Sequence, residues 1–418
     1  MYIDRSLEHI IQKTGQSFKA VLVTGPRQVG KSTILRHLFS EKKYITLDDP
    51  TILLESKQEP GLFFKNNRPP ILLDEIQYNT DLFPYIKMEC DRTEEAGRFF
   101  LTGSQQYHLM QGVSESLAGR IAILELSGLS LRELQGNHFS TPFVPSEEYI
   151  RERQTSFSHV DDIWEIIHRG SYPALQNPDV DWQLFYGSYL QTYMERDINQ
   201  LGKVQDKLKF TQFLTAMAAR TGQMLNYSTV AEEVGVSLAT IKNWTSLLET
   251  SGILYMLQPF SNSALHRATK TPKIYFRDTG LVCFLTKYQT PDTAKNGALA
   301  GNLFETFVVS EILKSYSNAG RDYRFSISYY RGKDKIRKKT DGETASKEAE
   351  IDLIIEENGT LYPVEIKLSA NPKLSMTNAF DVLDKIPQKK RGTGAIICLY
   401  DEVLWLKDHI VALPVEFI

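Results

Sequence analysis

Cysteine is scarce: Cys90, Cys283 and Cys398 are the three in 418 residues. They lie far apart and share no metal-ligand spacing. Neither a zinc site nor a disulfide framework is expected, and a reducing cytoplasm is the natural home. Long apolar runs are missing as well. No window approaches the roughly 18 apolar residues of a membrane helix. The opening MYIDRSLEHI carries Asp4, Arg5 and Glu8 where a secretory signal has its apolar stretch. Both absences point to a cytoplasmic protein with no membrane partner. There is no low-complexity stretch and no internal repeat. Charge of one sign is not in excess either. The formal net charge is -3, so any nucleic-acid site has to be a local patch. With 42% hydrophobic and 24% charged residues, the chain has the composition of a soluble globular protein. Its length suits two to four domains, each with its own core.

Short apolar runs ending in polar loops are what the first third does contain. FKAVLVTG at 18–25, Tyr44–Asp49, PPILLDEIQ at 69–77 and RFFLTGSQQ at 98–106 read as parallel strands buried on both faces. Helical stretches such as KSTILRHLFS and LFPYIKMECDR separate them. Strands alternating with helices predict an α/β, doubly wound parallel sheet over residues 1–145. HFSTPFVPSEEYIRERQ reads as a surface loop opening a helical linker, 146–203. YSTVAEEVGVSLATIKNWTSLLETSGILYML then reads as helix, Gly-containing turn, helix and strand, a winged-helix order within 204–285. A second α/β unit is expected over 295–418.

Gly25-Pro26-Arg27-Gln28-Val29-Gly30-Lys31-Ser32 matches G-x-x-x-x-G-K-[ST], and Thr33 follows. The glycines let the backbone curl so that its N–H groups face phosphates. Lys31 sets a charge on the β- and γ-phosphates, and Ser32 ligates Mg²⁺. Asp74 and Glu75 end another strand. Asp74 is expected to hold the Mg²⁺ shell and Glu75 to orient the attacking water. Ser104, at the end of RFFLTGS, is placed to touch the γ-phosphate. Arg120 in LAGRI is a candidate arginine finger, acting in its own chain or a neighbour's, with a surface salt bridge as the other reading. ATP and Mg²⁺ are the expected cofactors.

GPRQVGKST, the DDP after the second strand, ILLDEIQ, LTGSQQ, LAGR and LSLREL, in this order, resemble the AAA-type ATPases of an uncharacterised prokaryotic group. In that group the ATPase is followed by a domain of unknown function. The resemblance continues through TYMERDI, PKIYFRDTGL, GNLFETFVVSEI and the final VEIK. It implies an AAA-type fold and assembly into a homo-oligomer.

The winged helix offers Lys242 and Asn243 on its second helix. His266, Arg267, Lys270 and Lys273 follow as phosphate contacts. Packing is an equal reading. In the last unit, GNLFETFVVSEILKSY reads as an amphipathic helix carrying Glu305. EAEIDLIIEENGTLYPVEIKLS reads as a hairpin that sets Asp352 and Glu365 on adjacent strands, with Lys367 on the face of Glu365. This resembles the D…E-x-K signature of restriction-endonuclease-like nucleases. That resemblance implies Glu305, Asp352 and Glu365 as metal ligands and Lys367 as the group that stabilises a water. A relic without cleavage reads equally well. Arg331–Lys339 is basic and reads as a mobile loop able to bind phosphates. The expectation is an ATP-hydrolysing AAA-type protein acting on DNA, with a nuclease-like last domain. The alternative is an ATP-dependent switch whose last domains grip a protein partner and cut nothing.

Overall fold

The computed structural model describes residues 2–104, 113, 116–193, 206–261, 271–338 and 344–418. Its first sheet is built from β1 (Ala20–Gly25), β2 (Lys43–Thr46), β3 (Ile71–Asp74), β4 (Phe99–Ser104) and β5 (Ile121–Glu125). All five run parallel, in the order β2-β3-β4-β1-β5. β1 and β4 are buried at every position, which explains their unbroken apolar runs. β5 escaped the sequence reading because it is an edge strand. Ile123 is 42% exposed, so no continuous buried run marks it. Helix α1 (Lys31–Leu38) leaves the loop after β1. The DDP motif has a local cause: the Asp49 carboxylate caps the helix Pro50–Gln58, accepting from Thr51 N–H at 2.8 Å, with proline in the first turn.

The segment expected as a surface loop around 138–154 is not one. It contains the helix Glu147–Arg153, and Phe143, Tyr149 and Arg153 are buried. The cause lies far along the chain: Arg153 donates to Glu416 O at 2.8 Å and Arg132 to Ile418 O at 3.0 Å. Short-range periodicity carries no trace of such partners.

Helices Ile163–Arg169, Trp182–Tyr193 and Lys207–Ala218 follow. Then come β6 (Gln223–Met224), α2 (Tyr227–Val234), α3 (Leu238–Thr250), β7 (Leu254–Leu257) and β8 (Lys273–Phe276). Asn226 and Ser237 cap the two helices, and Gly235 between them sits at φ 69. The three strands form an antiparallel sheet in the order β6-β8-β7.

The last unit opens on α4 (Ala300–Asn318). This helix is not amphipathic: from Thr306 to Asn318 every residue is buried, including Glu311 and Lys314. It packs against all three units, and its polar groups find partners there. The Glu311 carboxylate accepts Leu131 N–H at 2.7 Å, and Lys314 donates to Leu129 O at 2.9 Å. The seven-stranded mixed sheet contains β9 (Ile327–Lys338), β10 (Thr344–Glu357), β11 (Thr360–Ile366), β12 (Lys390–Arg391), β13 (Gly394–Cys398), β14 (Leu404–Lys407) and β15 (Ile410–Pro414). Its order is β14-β15-β13-β11-β10-β9, with β12 beside β11. Asn358 at φ 50 and Gly359 at φ 80 make the tight turn between β10 and β11. The basic segment read as a mobile loop is strand for most of its length. Residues 331–338 pair antiparallel with 344–350, where the opposing ladder supplies the backbone partners that a loop lacks. Lys339 lies outside the described residues.

Candidate functional site

β1 ends in the loop Gly25–Gly30, and the loop's shape is set by backbone geometry. Gly25 lies at φ 144, where a Cβ would meet Leu126 O at 2.0 Å, so no side chain fits. Gln28 and Gly30 are also at positive φ. Lys31 opens α1 and is 6% exposed. Its ammonium group donates to Gly25 O at 3.1 Å and Pro26 O at 2.7 Å, which curls the loop around its own lysine. Ser32 Oγ donates to Asp74 Oδ1 at 2.6 Å, joining the loop to the end of β3. Asp74 is buried, and Tyr44 OH donates to its Oδ2 at 2.7 Å. Burial, and then the hydrogen bond to Asp74, push the Tyr44 phenol up to about 12, so it remains a donor at neutral pH. Thr102 Oγ1 also donates to Asp74 and accepts Glu75 N–H at 3.1 Å. Ser32, Asp74 and their neighbours form a hard-oxygen set that suits Mg²⁺.

Glu75 sits at φ 56 and ψ 46, a left-handed conformation that costs a non-glycine residue energy and that clusters at functional sites. Gln77 donates to its carboxylate. Ser104 closes β4 opposite Gly25, and its Oγ is buried with no hydrogen-bond partner among the described residues. The sequence-predicted residues Gly25–Thr33, Asp74, Glu75 and Ser104 therefore stand together at the carboxyl ends of β1, β3 and β4. Arg120 does not join them. It precedes Ile121, which pairs with Ala20 at the far end of β1, roughly 16 Å of strand away. There it is held by Asp91, with Nη2 3.1 Å from Oδ2.

Sequence reasoning missed four residues around this loop. Thr102 and Tyr44 orient Asp74. Arg5, itself buried, donates to Val29 O at 2.8 Å and Ser127 O at 2.8 Å and pairs with Glu133 at 3.1 Å, bracing the loop from behind. Arg277 pairs with Glu125, which ends β5 beside Thr24. Tyr323 completes the pair, accepting from Arg277 at 2.9 Å and donating to Glu125 at 3.1 Å. Two spacings carried a signal. Thr102 lies two residues before Ser104 on the same face of a strand, and Arg277 falls in the FRDTG motif. Nothing local marks Arg5.

In the last unit, Glu305, Asp352, Glu365 and Lys367 do come together, but with three further neighbours, Lys273, Glu350 and Tyr275. Lys273 lies 2.8 Å from Glu350, 3.5 Å from Asp352 and 3.6 Å from Glu305. Lys367 lies 2.6 Å from Glu365 and 3.5 Å from Asp352. Tyr275 OH donates to Glu305 at 2.7 Å, and Asp352 accepts Ile366 N–H at 2.9 Å. Burial, and then the nearby Asp352 carboxylate, push the Glu305 and Glu365 carboxyls up to about 7. Burial opposes the charge on Lys273, yet the surrounding carboxylates hold its ammonium above the ordinary lysine value. Among the described residues, no group of three or more His, Cys, Asp or Glu side chains is arranged to hold a metal ion. Lys273, expected as a phosphate contact, is 4% exposed and taken up by acids. His266, Arg267 and Lys270 lie outside the described residues. Lys242 and Asn243 are exposed on α3, with the Lys242 ammonium 5.9 Å from the Tyr227 ring centre.

The AAA domain family matches residues 17–135. Two families described as domains of unknown function, DUF8612 and DUF4143, match residues 160–292 and 300–418. Uncharacterized proteins of Mycobacterium tuberculosis and Mycobacterium bovis are each 27% identical over 402 residues, spanning 95% of this chain and 80% of theirs. Among solved structures, a Walker-type ATPase of Pyrococcus abyssi is similar at a TM-score of 0.37 and 15% identity, over 68% of this chain and 96% of that one. RuvB of Thermotoga maritima is similar at 0.29 and 17%, over 60% of this chain and 85% of that one. No helix among the described residues is long and apolar enough to cross a membrane.

Proposed function

We propose that this chain, an AAA-type P-loop domain followed by the DUF8612 and DUF4143 regions, hydrolyses ATP with Mg²⁺ and uses the cycle to act on nucleic acid. One observation carries the ATP reading. Ser32 Oγ and Asp74 Oδ1 meet at 2.6 Å across two parallel strand ends, directly after a buried loop lysine. Ser32 and Asp74 are the residues to hold Mg²⁺. When bound, that ion neutralises charge on the β- and γ-phosphates. The loop N–H groups and Lys31 bind and orient the phosphates. To do so, Lys31 exchanges its two backbone carbonyls for phosphate oxygens, a gain of charge pairing. Glu75 holds the attacking water, and Ser104 donates its unspent hydroxyl to the γ-phosphate.

The nucleic-acid part rests on the ribbon of β9 and β10. Arg331, Lys333, Lys335, Arg337 and Lys338 fall on β9 against a single acid, Asp334. β9 is the basic strand of this ribbon, while β10 sets Glu348 opposite Lys333 and Glu350 opposite Arg331; a basic strand fits phosphate tracking without base reading. Cleavage is not part of the reading, because the Lys273 ammonium, which the D…E-x-K pattern does not include, stands within 3.6 Å of Glu305, Glu350 and Asp352, where a phosphodiesterase needs a divalent ion. The expected outcome is faster ATP turnover with duplex or forked DNA at low salt, fading steeply as salt rises. Charge reversal at Lys333, Lys335 and Arg337 should remove the effect for all sequences alike. Turnover indifferent to DNA at every salt concentration favours the protein-partner alternative.

A further inference from the structure

The acidic centre of the last unit draws on three parts of the chain. Glu305 comes from α4, Glu350 and Asp352 from β10, Glu365 from β11, and Lys367 from the residue that follows β11. The sixth member comes from outside the unit. Lys273 opens β8, a strand of the separate three-stranded sheet. Tyr275, two residues on and so on the same face, hydrogen-bonds Glu305. One face of β8 thus docks on the centre.

Charge arithmetic shows what this docking does. Four carboxylates face two ammonium groups. Glu365 is 8% exposed, and its Oε2 is buried with no hydrogen-bond partner among the described residues. Buried carboxylates without a counter-charge are costly, so such a centre takes up protons or holds a cation, and here two ammonium groups stand against the acids. Lys367 reaches Glu365 and Asp352 but makes no ion pair with Glu305 or Glu350. Lys273 supplies charge at that side, with three carboxylates within 3.6 Å. A lysine on its four-carbon stem acts as a compact point charge with three donors, well matched to three carboxylate oxygens.

We propose that the Lys273 ammonium is the built-in cation of this centre: it occupies the position that a divalent ion needs, and the centre takes up metal only when β8 is withdrawn or its charge is lost. The middle sheet and the last unit are thereby locked together by charge, and the lock is also a plug. This inference does not depend on the ATP reading.

The test is Mn²⁺ binding to the full chain without nucleotide, read from the loss of the free-ion paramagnetic resonance signal. Four proteins are compared: the parent, Asp352→Asn, Lys273→Met, and Lys273→Met with Asp352→Asn. The parent and Asp352→Asn should bind Mn²⁺ alike, because the plugged centre holds none. Lys273→Met should gain one site at least tenfold tighter than any in the parent, and Asp352→Asn should abolish it. A parent site that Asp352→Asn removes overturns the proposal. So does a folded Lys273→Met chain that gains nothing. If Lys273→Met does not fold, the comparison of the parent with Asp352→Asn still decides, since it involves no change on β8.

Discussion

Glu75→Gln should leave ATP bound and slow its turnover by a factor of about 10² or more. The substitution keeps the size of the side chain and removes its charge. The backbone at this position is held independently of the carboxylate, since Glu75 N–H donates to Thr102 Oγ1. Asp74, Ser32 and the loop are untouched, so the affinity for Mg²⁺-ATP should change little. What is lost is the group proposed to orient or deprotonate the attacking water. Equilibrium binding of a fluorescent ATP analogue, beside single-turnover hydrolysis, separates the two effects. Parental hydrolysis in Glu75→Gln would remove this role from Glu75. A fall in binding equal to the fall in rate would assign it to structure.

Arg277→Met should cost stability of about 1–3 kcal/mol, between the small value of an exposed pair and the roughly 3–5 kcal/mol of a fully buried one, because the two side chains are 11% and 16% exposed. Glu125 then keeps, among the described residues, the Tyr323 hydroxyl as a donor. The pair joins the end of β5, beside the P-loop strand, to the residue that follows β8. The loss should therefore appear as a lower denaturant midpoint for the whole chain. The double change Glu125→Gln with Arg277→Met should recover most of it, because no charge is left unpaired. A single change costing under about 1 kcal/mol would mean that water already screens the pair.

Most of the first site was legible because its parts are local. A buried strand, a Gly-containing loop and a helix occur within Ala20–Leu38, and Asp74 closes another apolar run. The motif chemistry is written in consecutive residues, so it survives without any knowledge of tertiary contacts. Arg5 and Arg277 were illegible for the opposite reason. Arg5 makes its partners at Val29, Ser127 and Glu133, and Arg277 at Glu125 and Tyr323. The same limit explains the last unit. Asp352, Glu365 and Lys367 were visible through hairpin alternation, and that reading was sound for the backbone. Lys273 sits one sheet away, so a basic cluster in the sequence suggested phosphate contacts where the fold makes an internal ion pair. The helix Ala300–Asn318 misled in its turn, since polar residues at helical spacing look solvent-facing until a second unit covers them.

The central claim is that the loop Gly25–Thr33 and Asp74 form a working Mg²⁺-dependent ATP site. The most direct measurement is release of inorganic phosphate from ATP by the purified full chain, with Mg²⁺ and with excess EDTA, beside Lys31→Ala. Lys31 is the residue proposed to put a positive charge on the β- and γ-phosphates, and its removal leaves the fold's hydrophobic contacts in place. The predicted result is steady turnover with Mg²⁺, none with EDTA, and none in a Lys31→Ala chain that melts like the parent. Turnover that survives both EDTA and Lys31→Ala would contradict the account, and so would a folded parent chain that releases no phosphate under any nucleotide and Mg²⁺ condition.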